Sequence, residues 1–189
     1  AFTHRLEGPP NNTRYAYSVL DTQTGEIESG WPDPFEIDNR TAFIRTHDWS
    51  PDGERLALGI EYYDGLPDRL MMINTTTKEM EPDWITIPYD RAVDAIDLLR
   101  WSPDSKRLAV SYSAINRTPP VYPYFILNAE TKEIETDWPE WNRRSLSSPF
   151  RIVWSPDGEL LVLTFPASTL PGEDSIQVIN TLTREYVLD

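Results

Sequence analysis

Three copies of one four-residue block constrain this chain more than anything else in it. Trp49-Ser50-Pro51-Asp52 returns as Trp101-Ser102-Pro103-Asp104 and as Trp154-Ser155-Pro156-Asp157, at spacings of 52 and 53 residues. A fixed period of this length marks a fold built from stacked copies of one supersecondary unit. Each block is followed by alternating residues: Leu56, Leu58 and Ile60, then Leu108, Val110 and Tyr112, then Leu161, Leu163 and Phe165. Period-2 alternation predicts a strand with one face more deeply buried. The residues between them (Ala57, Gly59, Ala109, Ser111, Val162, Thr164) are mostly small, which suits close packing of sheet on sheet.

A second motif recurs in phase with the first. Val19-Leu20-Asp21 aligns with Met72-Ile73-Asn74, Ile126-Leu127-Asn128 and Val178-Ile179-Asn180, each continuing to Glu26, Glu79, Glu133 or Glu185. An Asx residue after an apolar pair reads as a strand ending in a turn. Trp31, Trp84 and Trp138 each stand five residues after the Glu and are expected between neighbouring units. One unit therefore holds four antiparallel strands, the pattern of a propeller blade. The expectation is an all-β chain with one propeller region over 1–189, in units of 1–40 (incomplete), 41–92, 93–145 and 146–189.

Trp-Ser-Pro-Asp-Gly followed by an alternating strand resembles the WD-like propeller repeats of the TolB periplasmic protein and related bacterial propellers. The resemblance implies a β-propeller. It also implies one of the roles such propellers serve: protein-docking platform, ligand-binding domain or gating domain of a peptidase. The period here is longer, with extended segments at 85–94 and 140–148. Counting from the 25 residues between Trp49 and Asn74, the tryptophan that would match Asp21 falls before residue 1. A blade-closing Trp after Glu185 would fall at position 190. About three and a half blades are thus expected, as a partial ring or one completed by self-association or by a protein partner.

Composition narrows the partners. With 17 basic and 31 acidic residues the net charge is −14, which disfavours nucleic acid and anionic membrane surfaces because both require a positive face. There is no cysteine, so disulfides, zinc thiolates and thiol nucleophiles are excluded. No apolar run reaches the roughly 18–20 residues that span a bilayer, so no membrane insertion is expected. The TolB resemblance and four Asn-x-Ser/Thr sequons, at Asn11, Asn39, Asn74 and Asn116, point to an extracytoplasmic protein with possible glycosylation sites.

Catalytic signatures are absent. The sequence has no Gly-x-Ser-x-Gly elbow, no His-Glu-x-x-His and no glycine-rich phosphate loop, and no cofactor is expected. Asp52, Asp104 and Asp157 repeat with the fold, so they read as turn caps beside Pro51, Pro103 and Pro156. His47 stands where the other units have Leu99 and Ile152, which makes it a candidate ligand group near a central channel. Tyr62, Tyr63, Tyr122, Tyr124 and Trp141 fall in or beside predicted loops and are candidate contacts for protein or carbohydrate. Asp64 with Asp68, and Glu173 with Asp174, are acidic pairs open to calcium, without the spacing of a calcium loop. The function expected is a non-enzymatic interaction scaffold. The alternatives are an accessory propeller of a larger hydrolase and a carbohydrate- or calcium-binding propeller.

Overall fold

A computed structural model describes residues 2–6, 14–31, 42–62, 69–81, 84, 94–114, 124–139, 149–165 and 175–188. The described residues form strands and turns and no helix. The first blade has three strands, β1 (Phe2–Leu6), β2 (Arg14–Leu20) and β3 (Ile27–Glu28). The second has four: β4 (Ala42–Trp49), β5 (Arg55–Tyr62), β6 (Arg69–Asn74) and β7 (Glu79–Met80). The third repeats this as β8 (Asp94–Trp101), β9 (Arg107–Ala114), β10 (Tyr124–Asn128) and β11 (Ile134–Glu135). The fourth comprises β12 (Arg151–Trp154), β13 (Leu160–Phe165), β14 (Ser175–Asn180) and β15 (Tyr186–Leu188). Every pairing is antiparallel between consecutive strands, so each blade is a meander.

The repeated turns explain why these strands begin and end together. After Trp49, the Gly53 N–H donates to the Ser50 carbonyl at 2.8 Å, and Asp52 Oδ1 accepts from Ser50 Oγ at 2.6 Å and from the Glu54 N–H at 2.9 Å. The same bonds recur around Asp104 and Asp157. Gly53 and Gly158 close the turn at φ +75°, and Ser105 adopts φ +60° in their place. That conformation is costly for a residue with a Cβ. Ser105 returns an interblade bond, its Oγ accepting the Asp52 N–H at 3.0 Å. The Asx turns are equally regular: Asn74 Oδ1 accepts from the N–H groups of Thr76 and Thr77, both at 3.0 Å.

Blades stack face against face. Ala57, Leu70 and Met72 on the second blade meet Leu99, Trp101, Leu108 and Val110 on the third in one buried cluster. Ala109, Tyr124 and Ile126 on the third blade meet Ile152, Trp154, Leu161 and Leu163 on the fourth. Each of these large side chains gains about 1.5–3 kcal/mol from full burial, so most of the sheet-to-sheet adhesion lies here. At Gly59 the approach is closest. A Cβ there would stand 2.8 Å from Thr46 Cγ2 and 3.0 Å from Ile96 Cγ2.

The expectation of one deeply buried face holds only for the last blade. Residues 56–60 of β5 are buried without interruption, because both faces of the second blade are covered. In β13 buried and half-buried residues alternate from Leu160 to Phe165. Among the described residues no sheet covers the outer face of the fourth blade.

Candidate protein-docking face

A latch of carboxylate, tryptophan and cation fastens each described junction at its rim, joined by an arginine at the second and third. Counted from the Asx residue, the seventh position after it is Glu28, Glu81 and Glu135 in the first three blades, and the tenth is Trp31, Trp84 and Trp138. Each carboxylate accepts from the indole Nε1 of its own tryptophan, at 3.2, 2.8 and 2.7 Å. Glu81 and Glu135 also pair with Arg55 (2.8 Å) and Arg107 (3.1 Å) of their own blades. The next blade supplies a cation to each carboxylate. Lys78 lies 3.0 Å from Glu28, Lys132 3.7 Å from Glu81 and Arg184 3.0 Å from Glu135.

The same cations stand over the rings of Trp31, Trp84 and Trp138 at 5.5, 5.4 and 5.5 Å, within the range of a cation–π interaction. Lys78, Lys132 and Arg184 take left-handed φ values of 57–60°, where the first blade has Gly25. The chain thus accepts backbone strain at three positions that place a latch cation. Burial is the largest single influence on Glu81 and Glu135 and opposes ionisation. The tryptophan and arginine hydrogen bonds and the neighbouring positive charges together outweigh it, holding both carboxyls below the usual range.

The fourth blade breaks this pattern. Val187 occupies the latch-carboxylate position and Leu160 the position of Arg55 and Arg107. Its uncovered face carries Val153 (40% exposed) and Ile176 (47%) beside half-buried Val162, Thr164 and Val178. Strand pairing places these together: Val153 opposite Val162, Val162 opposite Val178, and Thr164 opposite Ile176. Val162, Thr164, Ile176 and Val178 correspond by repeat to Ala57, Gly59, Leu70 and Met72, the positions on which the third blade is seated, and Val153 corresponds to Asp48. This contiguous β-branched surface is an interblade face without a blade on it.

His47 lies on β4 opposite Leu58. It is half-buried, whereas Leu99 and Ile152 at the matching positions are 0% and 1% exposed. The preceding blade explains the difference, because its described part has three strands and covers the second blade less fully. Trp49 is partly buried for the same reason, while Trp101 and Trp154 are 5% and 8% exposed. Burial lowers the His47 pKa below its ordinary value. The adjacent Asp48 accepts the Trp101 N–H at 2.8 Å and so ties the second blade to the third. Burial, the dominant influence, raises its pKa above the usual value against that bond and the Arg100 charge. A cavity of about 520 Å³ opens at the junction of the first two blades, lined by residues including Leu20, Thr22, Glu28 and Trp49.

Two of the aromatic residues expected at an exposed loop surface are strand residues with buried rings. Tyr62 ends β5 at 8% exposure beneath the Arg69 guanidinium. Tyr124 begins β10 at 5% exposure, and its hydroxyl donates to the Pro139 carbonyl at 2.9 Å. Blade packing recruits both, because the strands extend further than the loops drawn from sequence. Asn74 is the Asx-turn residue described above. Tyr63, Tyr122, Trp141, Asn11, Asn39, Asn116 and the acidic pairs Asp64/Asp68 and Glu173/Asp174 lie outside the described residues. Among the described residues no group of three or more His, Asp or Glu could hold a metal ion.

No family model and no curated protein sequence matches the chain. Solved structures do. The chain is similar to hydrazine synthase of Kuenenia stuttgartiensis, with a TM-score of 0.61 at 16% identity over 90% of this chain and 41% of that one. It is similar to a prolyl endopeptidase, with a TM-score of 0.59 at 14% identity over 92% of this chain and 26% of that one. TolB from Acinetobacter baumannii matches with a TM-score of 0.53 at 14% identity, over 92% of this chain and 37% of that one. These likenesses place the fold among β-propellers. The chain spans less than half the length of each structure named.

Proposed function

We propose that this chain is a non-enzymatic docking module, a partial propeller that binds a protein partner through the uncovered face of its fourth blade. One observation carries the reading. Positions that elsewhere hold the next blade are here Val153, Val162, Ile176 and Val178, two of them 40–47% exposed. A sheet face this apolar is a liability unless it is covered. The net charge of −14 keeps nucleic acid and anionic surfaces away while leaving the neutral face to select a neutral partner. An extracytoplasmic location accords with the TolB likeness.

The test compares what the native protein and a Val153→Glu/Ile176→Glu variant retain from the source cell. The reading expects a protein retained by the native chain and lost by the variant, with strand circular dichroism unchanged. Equal retention by both would overturn it. A second reading, the accessory propeller of a larger hydrolase, draws on the chain spanning 26% of the prolyl endopeptidase it resembles. Its mark would be a hydrolase domain encoded in the same gene.

A further inference from the structure

Of the four Asx turns, one differs in a way the fold does not require. Asn74-Thr75-Thr76 is an Asn-x-Thr sequon, whereas Asp21-Thr22-Gln23, Asn128-Ala129-Glu130 and Asn180-Thr181-Leu182 are not. All four turns form with the same bonds, the Asx side-chain oxygen accepting from the N–H groups two and three residues on. The turn therefore uses the backbone of residue 76 and not its hydroxyl. Thr76 is exposed, and its hydroxyl makes no bond among the described residues.

The two polar atoms of the half-buried Asn74 side chain have different fates. Its Oδ1 accepts from the Thr76 and Thr77 N–H groups, both at 3.0 Å, while its Nδ2 meets no acceptor among the described residues. The third blade shows the contrast, because Asn128 Nδ2 donates to Glu135 Oε1 at 3.3 Å. An N-linked glycan is joined through the amide nitrogen and leaves the amide oxygen in place. At Asn74 the atom that would carry the sugar is the one the fold leaves unused, and the atom the turn needs is unchanged. The second blade packs against described blades on both sides, so this setting owes nothing to where the sequence starts or stops.

We propose that Asn74 is an N-glycosylation site, its glycan standing at the rim of the second blade. The proposal rests on the extracytoplasmic location given above and is independent of the docking reading. The sugar donor is an oligosaccharide linked to a lipid pyrophosphate. In the transfer, the bond from Asn74 Nδ2 to C1 of the first sugar forms as the bond from C1 to the phosphate oxygen breaks. The lipid pyrophosphate leaves, and the amide proton passes to a base of the transferase. The free Thr76 hydroxyl completes the acceptor motif.

The test is mass spectrometry of tryptic peptides of the protein isolated from its source cell. Cleavage after Arg69 and Lys78 isolates Asn74 in residues 70–78, which hold no other sequon. The expected result is a 70–78 peptide carrying hexose and N-acetylhexosamine, released by a peptide N-glycosidase that leaves an aspartate at position 74. Two variants should lose the glycan with strand circular dichroism unchanged. Thr76→Ala removes the sequon but keeps the backbone N–H the turn uses, and Asn74→Asp keeps the acceptor, as Asp21 does in the first blade. A bare 70–78 peptide from the native protein would overturn the proposal. So would a glycan that survives in Asn74→Asp, since the sugar would then sit on a threonine hydroxyl. Cell fractionation separates the two claims: a bare peptide from an exported chain defeats the site alone, whereas a chain found in the cytoplasm defeats the location as well.

Discussion

Removing the Glu135 carboxylate should weaken the junction between the third and fourth blades more than any comparable surface change. Its Oε2 accepts from Trp138 Nε1 at 2.7 Å and Arg184 at 3.0 Å, and its Oε1 from Arg107 at 3.1 Å and Asn128 at 3.3 Å. The side chain is 11% exposed. In Glu135→Ala the indole N–H of a 9%-exposed tryptophan is left without its acceptor, a loss of roughly 1–2 kcal/mol. The two guanidiniums are 28% and 22% exposed and regain water, so each adds only about 0.5 kcal/mol. The total is about 2–3 kcal/mol. Urea unfolding followed by tryptophan fluorescence measures it as a lowered midpoint at unchanged slope. Glu28→Ala is the internal comparison. Among the described residues no arginine pairs with its carboxylate, which is 34% exposed, so its removal should cost clearly less. Equal midpoints for Glu135→Ala and Glu28→Ala would refute the latch as an energetic feature.

Three further outcomes follow from the same geometry. Glu81 and Glu135 have lowered folded-state pKa values. Their contribution is therefore complete above the usual carboxylate range and lost as pH falls through the folded values, so Glu135→Gln should flatten the acid limb of a stability–pH curve. Gly59→Ala forces a Cβ to within 2.8 Å of Thr46 and 3.0 Å of Ile96, and should lower stability by about 1–3 kcal/mol through overpacking, read from the same urea curves. Asp48 has a raised folded pKa, so its ionised form is disfavoured by folding, and the associated cost falls as pH drops through that value. Asp48→Asn, which keeps an acceptor for the Trp101 N–H, should leave the midpoint nearly unchanged at pH 7, whereas Asp48→Ala should lose about 1–2 kcal/mol.

The strands and turns were open to sequence reading because their chemistry repeats. Trp49, Trp101 and Trp154 with their Ser-Pro-Asp turns, and the Asx residues Asp21, Asn74, Asn128 and Asn180, mark strand ends to within a residue or two. The wedged tryptophans were also accessible, by their constant offset from Glu26, Glu79 and Glu133. The latch is not legible in the sequence alone, although its residues keep a constant register. Glu28, Glu81 and Glu135 stand three residues before those tryptophans, and Lys78, Lys132 and Arg184 keep constant register, but a charge in a rim turn looks like any solvated residue. Only the folded structure brings the carboxylate, cation and indole together from two adjacent sheets. The burial of Tyr62 and Tyr124 is hidden in the sequence for a related reason. An aromatic residue at a strand end carries no local mark of whether its ring turns to solvent or to the next blade. The uncovered face of the fourth blade lies in the exception, where Val187 and Leu160 break a pattern that is visible only once the four units are aligned.

A photo-crosslinking residue at position 153 of the native protein tests the central claim most directly, with position 182 as control. Val153 lies on the uncovered face, whereas Leu182 is 89% exposed at the tip of an Asx turn. A defined protein adduct from position 153 and none from position 182 is the result this account expects. Equal adducts from both positions, or none from position 153, would contradict it.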